Sequence, residues 1–278
     1  MLTHATKVEG AAVTYRISVA FMPRCVLFTA ALLAGCAAPS AGPEPLDLSY
    51  ARPAGPDVQA WAQYVAPAYV RLRIFAPDAM DADGRAAWQT TVNDGSGTLV
   101  DQGLVVTAAH LIPNPKLSMA VQTMDGRWHQ AELLDWAPER ELALLRIQGV
   151  SGPIPFRAEP LRAGEPTLAI GTPERRPAVV LTGRVLEPRM HGRIAYRGYR
   201  YEDAVLLEMT AGPGYSGGPV VDEQGQLIGI VASFALREAG RAVAPPRAAA
   251  VPATAIRAYI EEIEAAVPLS DRPRPAPP

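Results

Sequence analysis

Lysine is nearly missing from this 278-residue chain: Lys7 and Lys116 are the only two, and arginine supplies the rest of its 26 basic residues. Set against 28 acidic residues, they leave a formal net charge of −2. That balance lacks the broad cationic surface of a nucleic-acid binder, so no nucleic-acid partner is expected. Cysteine is as scarce, with Cys25 and Cys36 alone, both at the N-terminal end. Two cysteines make neither a disulfide framework nor a four-ligand zinc site. No apolar run approaches about 20 residues, which excludes a polytopic membrane protein. What abounds is proline, 28 residues or about twice average usage, so turns are plentiful and long helices few. With 49% hydrophobic residues the chain is neither disordered nor collagen-like.

The N-terminal end reads as a leader. Arg24 precedes an apolar run, residues 26–35, too short to span a bilayer and suited to a signal-peptide core. Met22-Pro23-Arg24 would make a compact start, so Met22 competes with Met1 as the first residue. The run ends in Leu33-Ala34-Gly35-Cys36, which resembles the lipobox of bacterial lipoproteins. The resemblance implies cleavage after residue 35 and a diacylglycerol on the Cys36 sulfur, hence a membrane partner reached through a lipid anchor. Ala37, rather than Asp, follows the Cys, which implies the outer membrane on the periplasmic side of a bacterial envelope. A proline-rich stretch, 36–58, then reads as a tether between anchor and folded part.

From about Trp61 the pattern is short strands with turn signals between them. Residues 69–75 alternate, with Val70, Leu72 and Ile74 on one face and Arg71 and Arg73 on the other. Apolar, β-rich stretches follow at 98–100, 104–107, 142–147, 167–170, 179–185, 205–209, 220–221 and 227–231. Close spacing by Gly, Pro and Asp predicts an all-β sandwich or barrel. One helix is expected, with Ile256, Tyr259, Ile260, Ile263 and Val267 forming one stripe between Pro252 and Pro268. The last eleven residues hold five prolines and are expected to form a disordered tail, 268–278.

The segment most informative for chemistry is Gly212-Pro213-Gly214-Tyr215-Ser216-Gly217-Gly218. A Ser between small residues on a tight turn lets a reacting carbonyl approach the backbone, and the N–H groups of Gly214 and Ser216 could hold a developing oxyanion. Gly-Tyr-Ser-Gly-Gly also fits the nucleophile elbow of α/β-hydrolases, which places its His after the Ser. The histidines here are His4, His110, His129 and His191, all before Ser216, so that reading fails. The order left is His, acid, Ser.

Three segments then resemble the trypsin-like serine proteases. Gly95-Ser96-Gly97-Thr98, followed by Thr107-Ala108-Ala109-His110, resembles their GSG and TAAH motifs. Glu141-Leu142-Ala143-Leu144-Leu145 resembles their DLALL segment. Ser216-Gly217-Gly218-Pro219-Val220, with 225–230 behind it, resembles the bacterial Deg/HtrA-like branch. Three separated motifs in the right order are far more specific than any one alone. The resemblance implies two six-stranded antiparallel β-barrels with a C-terminal α-helix. It divides the chain into a leader 1–35, a tether 36–58, barrels 59–155 and 156–252, a helix 253–267 and a tail. It also implies a serine endopeptidase acting on protein or peptide substrates without metal or organic cofactor, with Ser216 as nucleophile, His110 as general base, Glu141 as the acid, and Gly214 with Ser216 as oxyanion hole.

Two residues depart from the family pattern. The acid is Glu141 where Asp is usual, and its extra methylene requires the backbone to sit farther back; Asp135 is the competing acid. Tyr215 replaces the Asn or Asp usual before the Ser, which excludes zymogen activation by a freed N-terminus and threatens the oxyanion turn. These departures motivate an alternative, a weak or inactive pseudoprotease serving as a peptide-binding scaffold lipoprotein. Thr210 falls where the family places the floor of the specificity pocket, with Ala232, Ser233 and Phe234 as its wall. A neutral floor implies small or medium apolar residues at the cleavage site rather than Arg or Lys. His129 and His191 read as surface residues, and 189–201, with four Arg and three Tyr, as a solvated hairpin.

Overall fold

Fourteen strands and two helices make up the fold in a computed structural model that describes residues 45–51, 58–76, 91–150, 152, 154–176, 178–196, 199–234, 237–238, 241–242 and 247–266. These lie within one unit, Pro39–Pro278. The leader with Met22, Cys25 and Cys36, Val267 and the tail 268–278 lie outside the described residues. Among the described residues no helix is long and apolar enough to cross a membrane.

The first barrel comprises β1 (Tyr69–Phe75), β2 (Thr91–Asp101), β3 (Leu104–Ala108), β4 (Ser118–Gln122), β5 (Trp128–Ala137) and β6 (Leu142–Arg146). The second comprises β7 (Pro166–Gly171), β8 (Val179–Tyr196), β9 (Tyr199–Glu208), β10 (Pro219–Val221), β11 (Leu227–Phe234) and β14 (Arg247–Pro252). A small ribbon, β12 (Arg237–Glu238) with β13 (Arg241–Ala242), stands apart from both. Each barrel closes with the same neighbour order, β1-β2-β3-β6-β5-β4 and β7-β8-β9-β14-β11-β10, all antiparallel. The double barrel is therefore two copies of one topology, and closure leaves neither sheet an open edge.

Three cores explain the apolar runs. Val70, Leu72, Leu99, Val105 and Leu145 fill the first barrel. Ala169, Leu181, Leu207, Val220 and Ile228 fill the second. A third core lies between them, joining Leu142, Leu144, Leu168, Ile170 and Ile230. Strands β6, β7 and β11 thus bury both faces, alternate side chains going to a barrel interior and to the shared core, so they read as continuous apolar stretches. The opposite face of β1 is covered as well: Arg71 and Arg73 are buried. The Arg73 guanidinium sits 4.3 Å over the Trp128 ring, and burial together with Arg71 pushes its pKa down to about 10.

Helix α1 (Val58–Val65), absent from the strand pattern, precedes β1 and buries Ala62 and Val65 before Pro67 turns the chain into a 3₁₀ turn. Helix α2 (Ala253–Ala266) buries Ile256, Tyr259 and Ile263 in the shared core. It does more than cover the second barrel. The Tyr259 hydroxyl donates to Asp135 Oδ2 at 2.7 Å, and Arg140 pairs with Glu262 at 2.7 Å, tying it to the first barrel. The segment 189–201 belongs to a long β8–β9 hairpin with Tyr196 opposite Tyr199. Within the stretch read as a tether, residues 45–51 dock on the second barrel, where Asp47 forms a parallel bridge with Val179.

Candidate active site

Strand pairing brings the first two groups together. Strands β3 and β6 are neighbours with Ala108 opposite Leu142, so the residues just past the end of one and just before the other must meet. His110 lies on the 3₁₀ turn Ala109–Leu111 that ends β3. That turn is pinned by Ala109 N–H to the Glu141 carbonyl at 3.2 Å and by Trp136 Nε1–H to the Ala109 carbonyl at 3.2 Å. Glu141 closes the turn 138–141 with a φ of 59°, left-handed for a non-glycine residue. From this turn Glu141 Oε1 hydrogen-bonds His110 Nδ1. Both side chains are buried, His110 to 2% and Glu141 to 0% exposure, so solvent does not screen the pair. Glu141 Oε2 has no hydrogen-bond partner among the described residues. Asp135, the competing acid, lies on β5 bonded to Tyr259 instead.

Ser216 comes from the second barrel, on the turn that enters β10, and lines the same cleft of about 510 Å³ as His110. Gly214 has a φ of 97°, and a Cβ there would stand 2.2 Å from the Thr172 carbonyl oxygen, so only glycine fits. The N–H groups of Gly214 and Ser216 donate to no acceptor among the described residues. Unsatisfied donors beside a Ser are what a developing oxyanion requires.

The turn is held from the first barrel. Ser96 on β2 donates its N–H to the Ser216 carbonyl at 3.0 Å and its hydroxyl to the Gly214 carbonyl at 2.7 Å. Thr98 bonds the Gly217 carbonyl at 3.0 Å, and Thr107, three residues before His110, bonds the Ser96 carbonyl at 2.7 Å. One hydrogen-bonded chain thus links the His110 strand to the Ser216 turn. In the sequence Ser96 is marked only as part of the Gly-Ser-Gly motif; its role comes from its partners on the second barrel, distant in the chain.

Tyr215 is buried and its ring lies against residue 171, where a Cβ would come within 2.4 Å of Tyr215 Cδ1. Gly171 therefore makes room for the bulky side chain, and burial raises the phenol pKa. Thr210 lines the cleft. Ala232 and Ser233 are wholly buried on β11, Ala232 in the shared core, and do not line this cleft; the Phe234 side chain lies outside the described ones. His129 is half-buried, 3.2 Å from the Thr123 hydroxyl, and its pKa is lowered chiefly by burial. The His191 side chain also lies outside the described ones. Among the described residues no three His, Cys, Asp or Glu side chains are grouped to hold a metal ion.

Comparison with known proteins follows the same lines. The family model of the trypsin-like peptidase domain matches residues 95–230, a span containing His110, Glu141 and Ser216. Serine protease HTRA1 of Xenopus tropicalis is 35% identical over 143 residues, 49% of this chain and 30% of that protein. The periplasmic serine endoprotease DegP of Escherichia coli is 30% identical over 161 residues, 56% of this chain and 33% of that protein. The chain thus spans about a third of the length of these relatives. The HtrA-type protease AlgW, solved with a tripeptide, superposes with a TM-score of 0.59 at 25% identity, covering 73% of this chain and 62% of that one. The Rv3671c protease of M. tuberculosis in its active form shares the fold with a TM-score of 0.60 at 21% identity, over 73% of this chain and 83% of that one. Residues 95–230 thus match a trypsin-like peptidase domain, and the double barrel is the fold the chain shares with these two solved proteases.

Proposed function

We propose that the protein is a serine endopeptidase that hydrolyses peptide bonds through an acyl-enzyme on Ser216. The observation that carries the reading is one cleft lined by His110, itself bonded to a buried Glu141, and by Ser216 beside two undonated backbone N–H groups. His110 takes the Ser216 hydroxyl proton on Nε2 as Oγ attacks the scissile carbonyl, while Nδ1–H stays bonded to Glu141, whose charge stabilises the imidazolium. The carbonyl oxygen, now anionic, accepts from Gly214 and Ser216 N–H. Collapse of that intermediate transfers the His110 proton to the leaving amine and leaves the acyl group on Ser216. Water then attacks with His110 as base, and the second collapse returns the proton to Ser216. A neutral Thr210 on the cleft favours small or medium apolar residues at the cleavage site. Tyr215, which motivated the scaffold alternative, fits beside Gly171 without closing the oxyanion turn. Digestion of unfolded casein by the full chain tests the reading: accumulating fragments support it, and intact casein under all conditions contradicts it.

Two further expectations belong to this reading. Ser96→Ala removes one of the donors on the Gly214 carbonyl, leaving the Thr172 N–H at 3.1 Å. It should lower kcat about tenfold with KM within about twofold, because the loosened turn matters most when the oxyanion forms. Steady-state kinetics beside a melting curve checks this. The Leu-Ala-Gly-Cys motif supports a lipid anchor at Cys36 on the periplasmic face of the outer membrane, and the periplasmic relatives are consistent with an envelope location. Cys36→Ser should move the protein from the membrane fraction to the soluble one on cell fractionation. Retention in the membrane would contradict the anchor.

A further inference from the structure

The segment 45–51 precedes the first barrel in the chain, yet it is fastened to the second. Asp47 N–H donates to the Ala178 carbonyl at 3.0 Å, and Val180 N–H returns to the Asp47 carbonyl at 2.8 Å. Leu46, Leu48 and Ala51 pack on the shared core. Asp47 Oδ2 is ion-paired with Arg176, while its Oδ1 accepts from Ser49 N–H at 2.9 Å, which forms the turn before Tyr50. Arg176 then lies over the Tyr50 ring at 5.5 Å. The loop that supplies Arg176 is itself strained, with Glu174, Arg175 and Ala178 all at positive φ. Its first residue, Thr172, donates its N–H to the Gly214 carbonyl of the oxyanion turn.

The outcome of this anchoring is that Tyr50 lines the same cleft as His110 and Ser216, with 52% of its surface exposed. A segment serving only to cover the shared core would need Leu46 and Leu48, which do so. It would have no use for a large aromatic held half-bare at the mouth of the cleft. An exposed ring held by a turn and faced by a guanidinium that is itself ion-paired to Asp47 is a preorganised surface for an apolar side chain. Leu111 and Pro213 line the same cleft and add to its apolar lining.

We infer that residues 45–51 are a built-in wall of the substrate cleft, and that Tyr50 is a specificity-determining residue selecting peptides with an aromatic or bulky apolar side chain packed on its ring. The inference rests on the protease reading above. It also makes the stretch between the Cys36 motif and the first barrel part of the site rather than a spacer throughout.

The experiment uses the full chain and a set of fluorogenic peptides in which one position at a time carries Phe or Gly. Wild type is expected to prefer Phe over Gly in kcat/KM by about five- to tenfold at one position, the size of one aromatic packing contact. Tyr50→Ala should reduce that ratio to about twofold or less, and Tyr50→Phe should retain it. Asp47→Ala, which removes the anchor but keeps the ring, should reduce the ratio in the same direction. Half-exposed Tyr50 contributes little to the core, so Tyr50→Ala should melt with the wild type. Identical ratios in wild type and Tyr50→Ala at every position overturn the inference while leaving the protease reading intact. Loss of the ratio in Tyr50→Phe overturns it too, since the ring would then not be the selecting surface. A wild type that cleaves none of the peptides overturns the protease reading and this inference with it.

Discussion

Ser216→Ala is expected to slow peptide hydrolysis by about 10⁶-fold while leaving the melting temperature unchanged. The size follows from how the site works as a unit. Without the hydroxyl there is no acyl-enzyme, and His110 and the oxyanion donors can only assist attack by water, a residual effect of order 10³–10⁴ over solution. The lack of a stability change follows from what Ser216 touches. Its structural bonds are made by its backbone carbonyl to Ser96 N–H, and the side-chain oxygen has no hydrogen-bond partner among the described residues. Alanine keeps the backbone bond and fits the same turn. Kinetics on a cleaved peptide, with melting followed in parallel, checks both halves. A loss of less than about tenfold would place the nucleophile elsewhere.

Glu141→Gln is expected to cost about 10⁴-fold in kcat, the second largest effect, and to melt no lower than wild type. A glutamine amide can offer its N–H to His110 Nδ1, which moves the ring proton to Nε2 and leaves that nitrogen unable to accept from Ser216. The tautomer is lost although the shape is kept. Stability moves independently, because Glu141 is wholly buried with one oxygen unpartnered among the described residues, an arrangement costly for a charge. Asp135→Asn separates the two acids. It should leave kcat within about twofold, since Asp135 meets Tyr259 rather than His110, and lower stability by about 1 kcal/mol through the weakened bond between α2 and the first barrel. An activity loss confined to Asp135→Asn would reverse the assignment.

How much of this was legible in the sequence depends on whether the cause is local. His110 and Ser216 sit in short runs of small residues that force tight turns, and such runs can be read directly. Strands β6, β7 and β11 were legible because both of their faces are buried. Strands β4 and β5 were not: β4 buries only three residues in a row, and the half-exposed residues of β5 show no clean period. Helix α1 was missed because eight residues with two buried anchors leave too little pattern. The acid position was readable but its geometry was not, as nothing in the local sequence marks Glu141 for a left-handed backbone. Tyr215 looked like a threat to the oxyanion turn because the residue that makes room for it, Gly171, comes from a distant strand. Residues 45–51 looked like a spacer for the same reason: Pro45 and Pro53 are local, whereas the Asp47–Arg176 pair is made only in the fold.

The joining of a first-barrel imidazole to a second-barrel hydroxyl is the step on which the rest depends, and a fluorophosphonate probe tests it most directly. Wild-type full chain treated with the probe should gain the mass of one phosphonyl group, mapped by peptide mass spectrometry to Ser216 and lost in His110→Ala. No adduct on wild type, an adduct on another residue, or equal labelling of His110→Ala would contradict the account.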